Sequence, residues 1–210
     1  MKNVLKTAYI IGNGVSRESF DLMDLKGNGK VFGCNALYRD YTKEDYTLPD
    51  YLVAIDNPII NEIKKSNFPK ERFLNPPEDE KWEPVELHWG RSATPDWNPA
   101  RPRSNAGMNA ILESIKKGYT TIYCFGFDFL VVDESIAMSN VYDNTNCYGL
   151  ETRANISDTR NRMKYLGWLI EKHNTVKFVF CYPKGTAFYQ AESENVSFCD
   201  FDQLRHLLME

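Results

Sequence analysis

Short runs of β-branched and aromatic residues recur along this chain, and several stop abruptly at glycine, asparagine or aspartate. The runs lie at residues 8–11, 30–33, 51–55, 72–74, 121–125 and 177–181. They are too apolar to be half-exposed hairpin strands, and helical patterns separate some of them. Residues 106–117 carry Met108, Ile111, Leu112 and Ile115 at helical spacing and close on Gly118, and residues 157–173 place Met163, Leu166, Leu169 and Ile170 on one stripe. Strands alternating with helices predict a parallel α/β sheet covered on both faces. In such a sheet ligands bind beyond the carboxyl ends of the strands. The residues there are Gly12-Asn13-Gly14, Asn35, Asp56-Asn57 and Gly126-Phe127-Asp128.

Composition narrows the class. A chain of 210 residues can bury a sizeable core, and 42% hydrophobic with 26% charged residues is what a globular protein shows. A net charge of -4 argues against a nucleic-acid coat, which needs a basic face. The apolar run at 8–11 is too short for a signal peptide, and no stretch approaches a membrane span of about 20 apolar residues. Five cysteines, an odd number without a Cys-x-x-Cys, read as reduced thiols in a cytoplasmic protein. His88, His173 and His206 are too scattered for a zinc site, and the one Asp-x-Asp, Asp200 to Asp202, lies in the C-terminal tail. The expectation is a metal-independent protein with no tightly bound cofactor. One domain spanning 1–210 is expected, with an irregular insertion at about 75–104 that holds Trp82, Trp89 and Trp97. A second irregular segment at about 130–156, rich in Asn, Tyr and Gly, has the character of a lid over a polar ligand.

The glycine loop admits two readings. Gly-x-Gly is a tight strand-to-helix turn, or it brings backbone N–H groups and a helix N-terminus to an anion. It is neither a dinucleotide fingerprint nor a Walker loop: Arg17 stands at the third glycine position, and the second strand ends in Cys34-Asn35 rather than an acid. If the loop holds a phosphate, Gly14→Val should block the ligand and leave the fold largely intact. Asn35 and Asn57 are turn residues on one reading. On the other they present donors and acceptors to a ribose or base.

In "IIGNGVSRESFDLMDL" with the following "VFGCNALY", the chain resembles the opening motif of the sialyltransferases, bacterial lipooligosaccharide and animal types alike. "RSNAGMNAILESIKKGYTTIYCFGFDF" is similar to their second motif, and "AIDNP" to the Asn-Pro after the third strand of the bacterial enzymes. Phage-encoded and pterin diphosphokinase-like proteins share the first block. The resemblance implies a Rossmann-like domain that binds a nucleotide-sugar donor, a CMP-sugar favoured, and transfers the sugar to the hydroxyl of a glycan or other acceptor. It assigns donor binding to Gly12, Asn13, Gly14, Ser16, Asn35, Asn57, Gly107, Gly126 and Asp128, and sets Arg103 near the donor phosphate. Two departures stand out. Asn105-Ala106-Gly107 replaces the family's Ser or Thr around that glycine, and the general-base histidine before the late helix is missing. Asp158 is the nearest ionisable group, either as a displaced base or as an acid at a helix N-terminus. A pterin diphosphokinase-like nucleotide-phosphate enzyme and a catalytically inactive nucleotide-binding module are the alternatives. A homo-oligomer is left open.

Overall fold

Alternation along the strands sorts their side chains onto two faces, each of which must be covered. A computed structural model describes residues 6–44, 46–76, 89 and 104–209. Among these, strands β1 (Thr7–Ile11), β2 (Lys30–Cys34), β3 (Tyr51–Val53), β4 (Phe73–Leu74), β5 (Thr121–Phe125), β6 (Lys177–Tyr182) and β7 (Val196–Asp200) form one sheet in the order β4-β3-β2-β1-β5-β6-β7. Every pairing is parallel. This is a Rossmann-like α/β fold. The chain steps outward from β1 to β4, then returns to place β5 on the other side of β1. That reversal puts a topological switch point between the tips of β1 and β5, where open α/β sheets bind ligands.

Helices α1 (Asn57–Lys65), α2 (Ala106–Lys116), α3 (Glu134–Ala137), α4 (Ile156–Lys172) and α5 (Phe201–Leu208) complete the framework. Ala8, Ile10, Phe32, Ile122, Cys124, Phe178 and Phe180 pack on one face with α2 and α4. Tyr9, Ile11, Val31, Leu52, Phe125, Val179 and Cys181 pack on the other with Ile59, Ile60 and Ile63 of α1 and Phe201 and Leu204 of α5. Trp89 belongs to the first cluster, and its indole N–H donates to the Met163 carbonyl (3.0 Å). The rest of the expected insertion, residues 77–88 and 90–103, lies outside the described residues. No helix among the described residues is long and apolar enough to cross a membrane.

Three elements differ from the sequence expectation. Helix α1 follows β3 directly, where a strand tip and loop were read; Pro58 at its start and Ile59, Ile60 and Ile63 are its signals. Strand β7 is half-buried along its whole length, and Ser197 and Asp200 break up the apolar run that would have marked it. Helix α5 opens with a reciprocal capping box between Asp200 and Gln203. Asp200 is thus a helix cap, and Asp202 pairs with Arg205 (3.1 Å). Between β1 and β2 there is no α-helix. The glycine loop leads into a five-residue 3-10 turn, Val15–Ser19, so the helix dipole expected behind the loop is not there.

Candidate functional site

The tips of β1 and β5 touch. Gly12 N–H donates to the Phe125 carbonyl (2.8 Å) and Gly14 N–H to the Gly126 carbonyl (3.1 Å). A Cβ at Gly12 would lie 2.7 Å from the Gly126 oxygen, and Gly126 turns with φ +64° against the Gly12 carbonyl. Both glycine amides are therefore spent on the neighbouring strand. These glycines serve close approach between two strand tips, and the anion-cradle reading of the Gly12 and Gly14 amides gives way to it. Gly14 also makes room for Asp128: a Cβ there would lie 2.5 and 2.6 Å from its carboxylate oxygens. Gly14→Val must push the Asp128 carboxylate aside, so this substitution disturbs the fold as well as any ligand, contrary to the sequence expectation.

Asp128 is almost wholly buried. The Ser16 amide donates to its Oδ2 (2.8 Å) and the Ser16 hydroxyl donates to its Oδ1. Burial raises its pKa above the ordinary carboxylate value, against the opposing pull of the Ser16 hydrogen bonds and Arg17. The pair locks the β5 tip to the β1 loop.

Above this junction lies a cavity of about 560 Å³. Asn13 and Asn35 line it with Tyr148. Tyr148 is half-buried, with the Asn35 side chain and the Ala36 amide beside its hydroxyl and Asn13 Nδ2 at 3.5 Å from it. Burial pushes the phenol pKa up, so it stays protonated. Asn35 holds this place in the left-handed region, φ +51°, which asparagine tolerates better than most residues. The Oδ1 atoms of both asparagines are buried without a hydrogen-bond partner. One tyrosine hydroxyl has a single proton, so it could satisfy at most one of them. Two unpaired acceptors beside a cavity are costly unless a ligand or water donates to them.

Helix N-termini supply the complementary charge. Ser104, Asn105, Ala106 and Gly107 at the start of α2 line the cavity. Asn105 caps that helix by accepting from the Met108 amide (2.9 Å), which leaves the Ala106 and Gly107 amides ahead of the first intrahelical bond. The start of α1 brings Asp56 and Pro58, and that of α4 brings Arg153, Ala154, Asp158 and Arg162. Asp158 forms the N-terminal capping box of α4, accepting from the Asn155 amide (3.0 Å) while Asn155 Oδ1 accepts from its own (3.0 Å).

One wall comes from the segment expected to be a lid. Val141 N–H donates to the Asn13 carbonyl (2.8 Å). The Tyr142 hydroxyl accepts from Arg17 (2.9 Å) and donates to Asp40 (2.8 Å). Arg39 donates to Thr145 Oγ1 (2.9 Å) and the Asn146 carbonyl (2.8 Å), and pairs with Glu62 (2.6 Å), which also accepts from Asn146 and Tyr38. Arg153 and Asp143 close the wall with an ion pair at 2.7 Å.

Of the residues singled out by sequence, Gly12, Asn13, Gly14, Asn35, Gly107, Gly126, Asp128 and Asp158 line this one cavity. Ser16 sits behind it, bound to Asp128. Asn57 is exposed on the first turn of α1 while its neighbours Asp56 and Pro58 face the cavity. Arg103 lies outside the described residues. Sequence reasoning missed Tyr148, Arg153 and Arg162; the Asn- and Tyr-rich character of the 130–156 segment pointed to the first two, and nothing pointed to Arg162 on α4. Among the described residues no three His, Cys, Asp or Glu side chains are grouped to share a metal ion. No family model, curated protein or solved structure matches the chain.

Proposed function

We propose that this cavity binds a nucleotide-sugar donor, a CMP-sugar favoured, and that the protein is a sialyltransferase-like glycosyltransferase acting on an acceptor hydroxyl. The observation that carries the reading is the pair of unpartnered acceptors, Asn13 Oδ1 and Asn35 Oδ1, held beside Tyr148 at the tips of β1 and β2. A carbonyl oxygen needs a donor. Ribose hydroxyls and the exocyclic amine of cytosine supply one, and a phosphate at neutral pH does not. The phosphate belongs instead at the first turn of α2, where the Ala106 and Gly107 amides and the helix dipole favour negative charge. Transfer then needs the leaving nucleotide to be held and a base to take the acceptor's proton, with inversion at the anomeric carbon. Asp158 lines the cavity and is the carboxylate assigned to that role.

The capping bond of Asp158 favours a second reading, a nucleotide-binding module without turnover, because one carboxylate oxygen is already committed to the helix. A thermal-shift panel of CMP, UDP, GDP, ADP and ATP, with and without magnesium, tests the binding step. At a hundredfold excess over Kd a ligand adds about 2.7 kcal/mol. CMP should stabilise most, and Asn13→Ala should reduce its effect while leaving the unliganded Tm nearly unchanged. Preference for ATP with magnesium would favour the diphosphokinase-like alternative. No shift with any nucleotide refutes the nucleotide site. CMP binding without turnover of any donor sugar favours the module.

A further inference from the structure

Strands β6 and β7 pair in a register that sets Cys181 directly beside Cys199. Their Sγ atoms lie 3.3 Å apart, and both are free thiols. Neighbouring strands stand about 4.7–4.9 Å apart. That falls within the Cα separation of about 4.4–6.8 Å that a disulfide spans. Cys181 is fully buried, whereas Cys199 on the edge strand is partly open to solvent. The hydrogen bond the two thiols share holds the Cys199 pKa below the usual thiol range, while burial pushes Cys181 up. The more accessible sulfur is thus the better nucleophile.

We propose that Cys181 and Cys199 form a reversible disulfide at the edge of the sheet, made when a hydroperoxide oxidises the pair. The Cys199 thiolate attacks the peroxide, the O–O bond breaks, the alcohol or water leaves, and a sulfenic acid remains. The Cys181 sulfur then attacks that sulfur; the S–O bond breaks and the hydroxyl departs as water with the Cys181 proton. Two thiols lose two electrons and the hydroperoxide gains them. A dithiol reductant reverses the bond by exchange.

The bond would close the chain around the 183–195 connection, which is itself tied to the site. Tyr189 N–H donates to the Leu130 carbonyl (2.8 Å) and Val132 N–H to the Ala187 carbonyl (3.0 Å), just beyond Asp128. Directly after β7, Phe201 packs against Phe20 (5.1 Å) and Phe125 (6.0 Å). Oxidation therefore pins the strand and loop that brace the cavity from this side, whatever ligand the cavity takes.

The test treats the full chain with hydrogen peroxide, blocks remaining thiols by alkylation and maps tryptic peptides. Cleavage after Lys177, Lys184 and Arg205 places the two cysteines on separate peptides, 178–184 and 185–205. The expected result is a dithiothreitol-sensitive link between them and an intact mass about 2 Da lower, the loss of two hydrogens. Closing a loop of this size should also raise Tm by about 5–10 °C. Cys199→Ser should lose both the link and the Tm rise. Recovery of both peptides as alkylated thiols, Cys199 oxidised to sulfinic acid without a link, or a bond to Cys124 or Cys147 instead would each overturn the proposal.

Discussion

Replacing Gly14 by alanine should cost the fold about 2–4 kcal/mol, because the added methyl enters space held by the Asp128 carboxylate. Its Cβ would stand 2.5 and 2.6 Å from the two carboxylate oxygens, well inside van der Waals contact. Asp128 is the terminal group of a short side chain rooted in the β5 tip, so it must swing away from Ser16. Hydrogen bonds to a charged group contribute about 1.5–3 kcal/mol each. Asp128 accepts two from Ser16, and relaxation of the loop should save part of them. For a chain of this size the loss corresponds to a Tm decrease of about 5–15 °C. Urea unfolding followed by circular dichroism measures it, with Asp128→Ala and the double variant completing a cycle. If the clash is the cause, the double variant should be no less stable than Asp128→Ala alone, since the group struck is gone. Strict additivity in that cycle, or a Gly14→Ala variant within about 0.5 kcal/mol of the parent, which is a surface-level effect, would refute the reasoning.

Burial works to raise the Glu62 carboxyl, but hydrogen bonds from Tyr38, Arg39 and Asn146 together take its pKa below the ordinary value. The stability it contributes is present above its unfolded value near 4.5 and lost as pH falls through the lower folded value, so Glu62→Gln should flatten an acid unfolding profile in that window. Arg39→Ala removes contacts to Thr145, Asn146 and Glu62; at about 1–2 kcal/mol it should raise tryptic cleavage after Arg153 roughly tenfold, and saturating nucleotide should slow that cleavage. Equal cleavage in parent and variant would show that Arg39 does not hold the wall. Asp158→Asn keeps an acceptor for the Asn155 amide, so it should retain stability and nucleotide affinity while cutting transfer at least about a hundredfold. Unchanged turnover excludes Asp158 as the base, and Asp158→Ala should cost about 1 kcal/mol through the lost cap in either case.

Hydrophobic pattern marked six of the seven strands: runs such as 121–125 are apolar on both faces, and with helical patterns between some of the runs they point to a doubly covered parallel sheet. Punctuation marked the strand tips, and six residues chosen on that basis, Gly12, Asn13, Gly14, Asn35, Gly126 and Asp128, line one cavity; Gly107 and Asp158, named through the family resemblance, line it too. Local signals were present but overlooked for α1 and α5, where Pro58 and the Asp200–Gln203 box announce helices. Other facts depended on contacts between residues far apart in the chain. That Gly12 and Gly14 spend their amides on β5 follows from strand order, which no local pattern encodes. Ser16 is drawn out of the cavity by Asp128, 112 residues away. Tyr148 becomes part of the site because Arg17, Arg39 and Glu62 dock its segment over the tips of β1 and β2. Sequence period reports which side of an element is apolar. Which tips meet, and which polar atoms are left unpaired between them, is decided only when the tertiary fold brings those elements together.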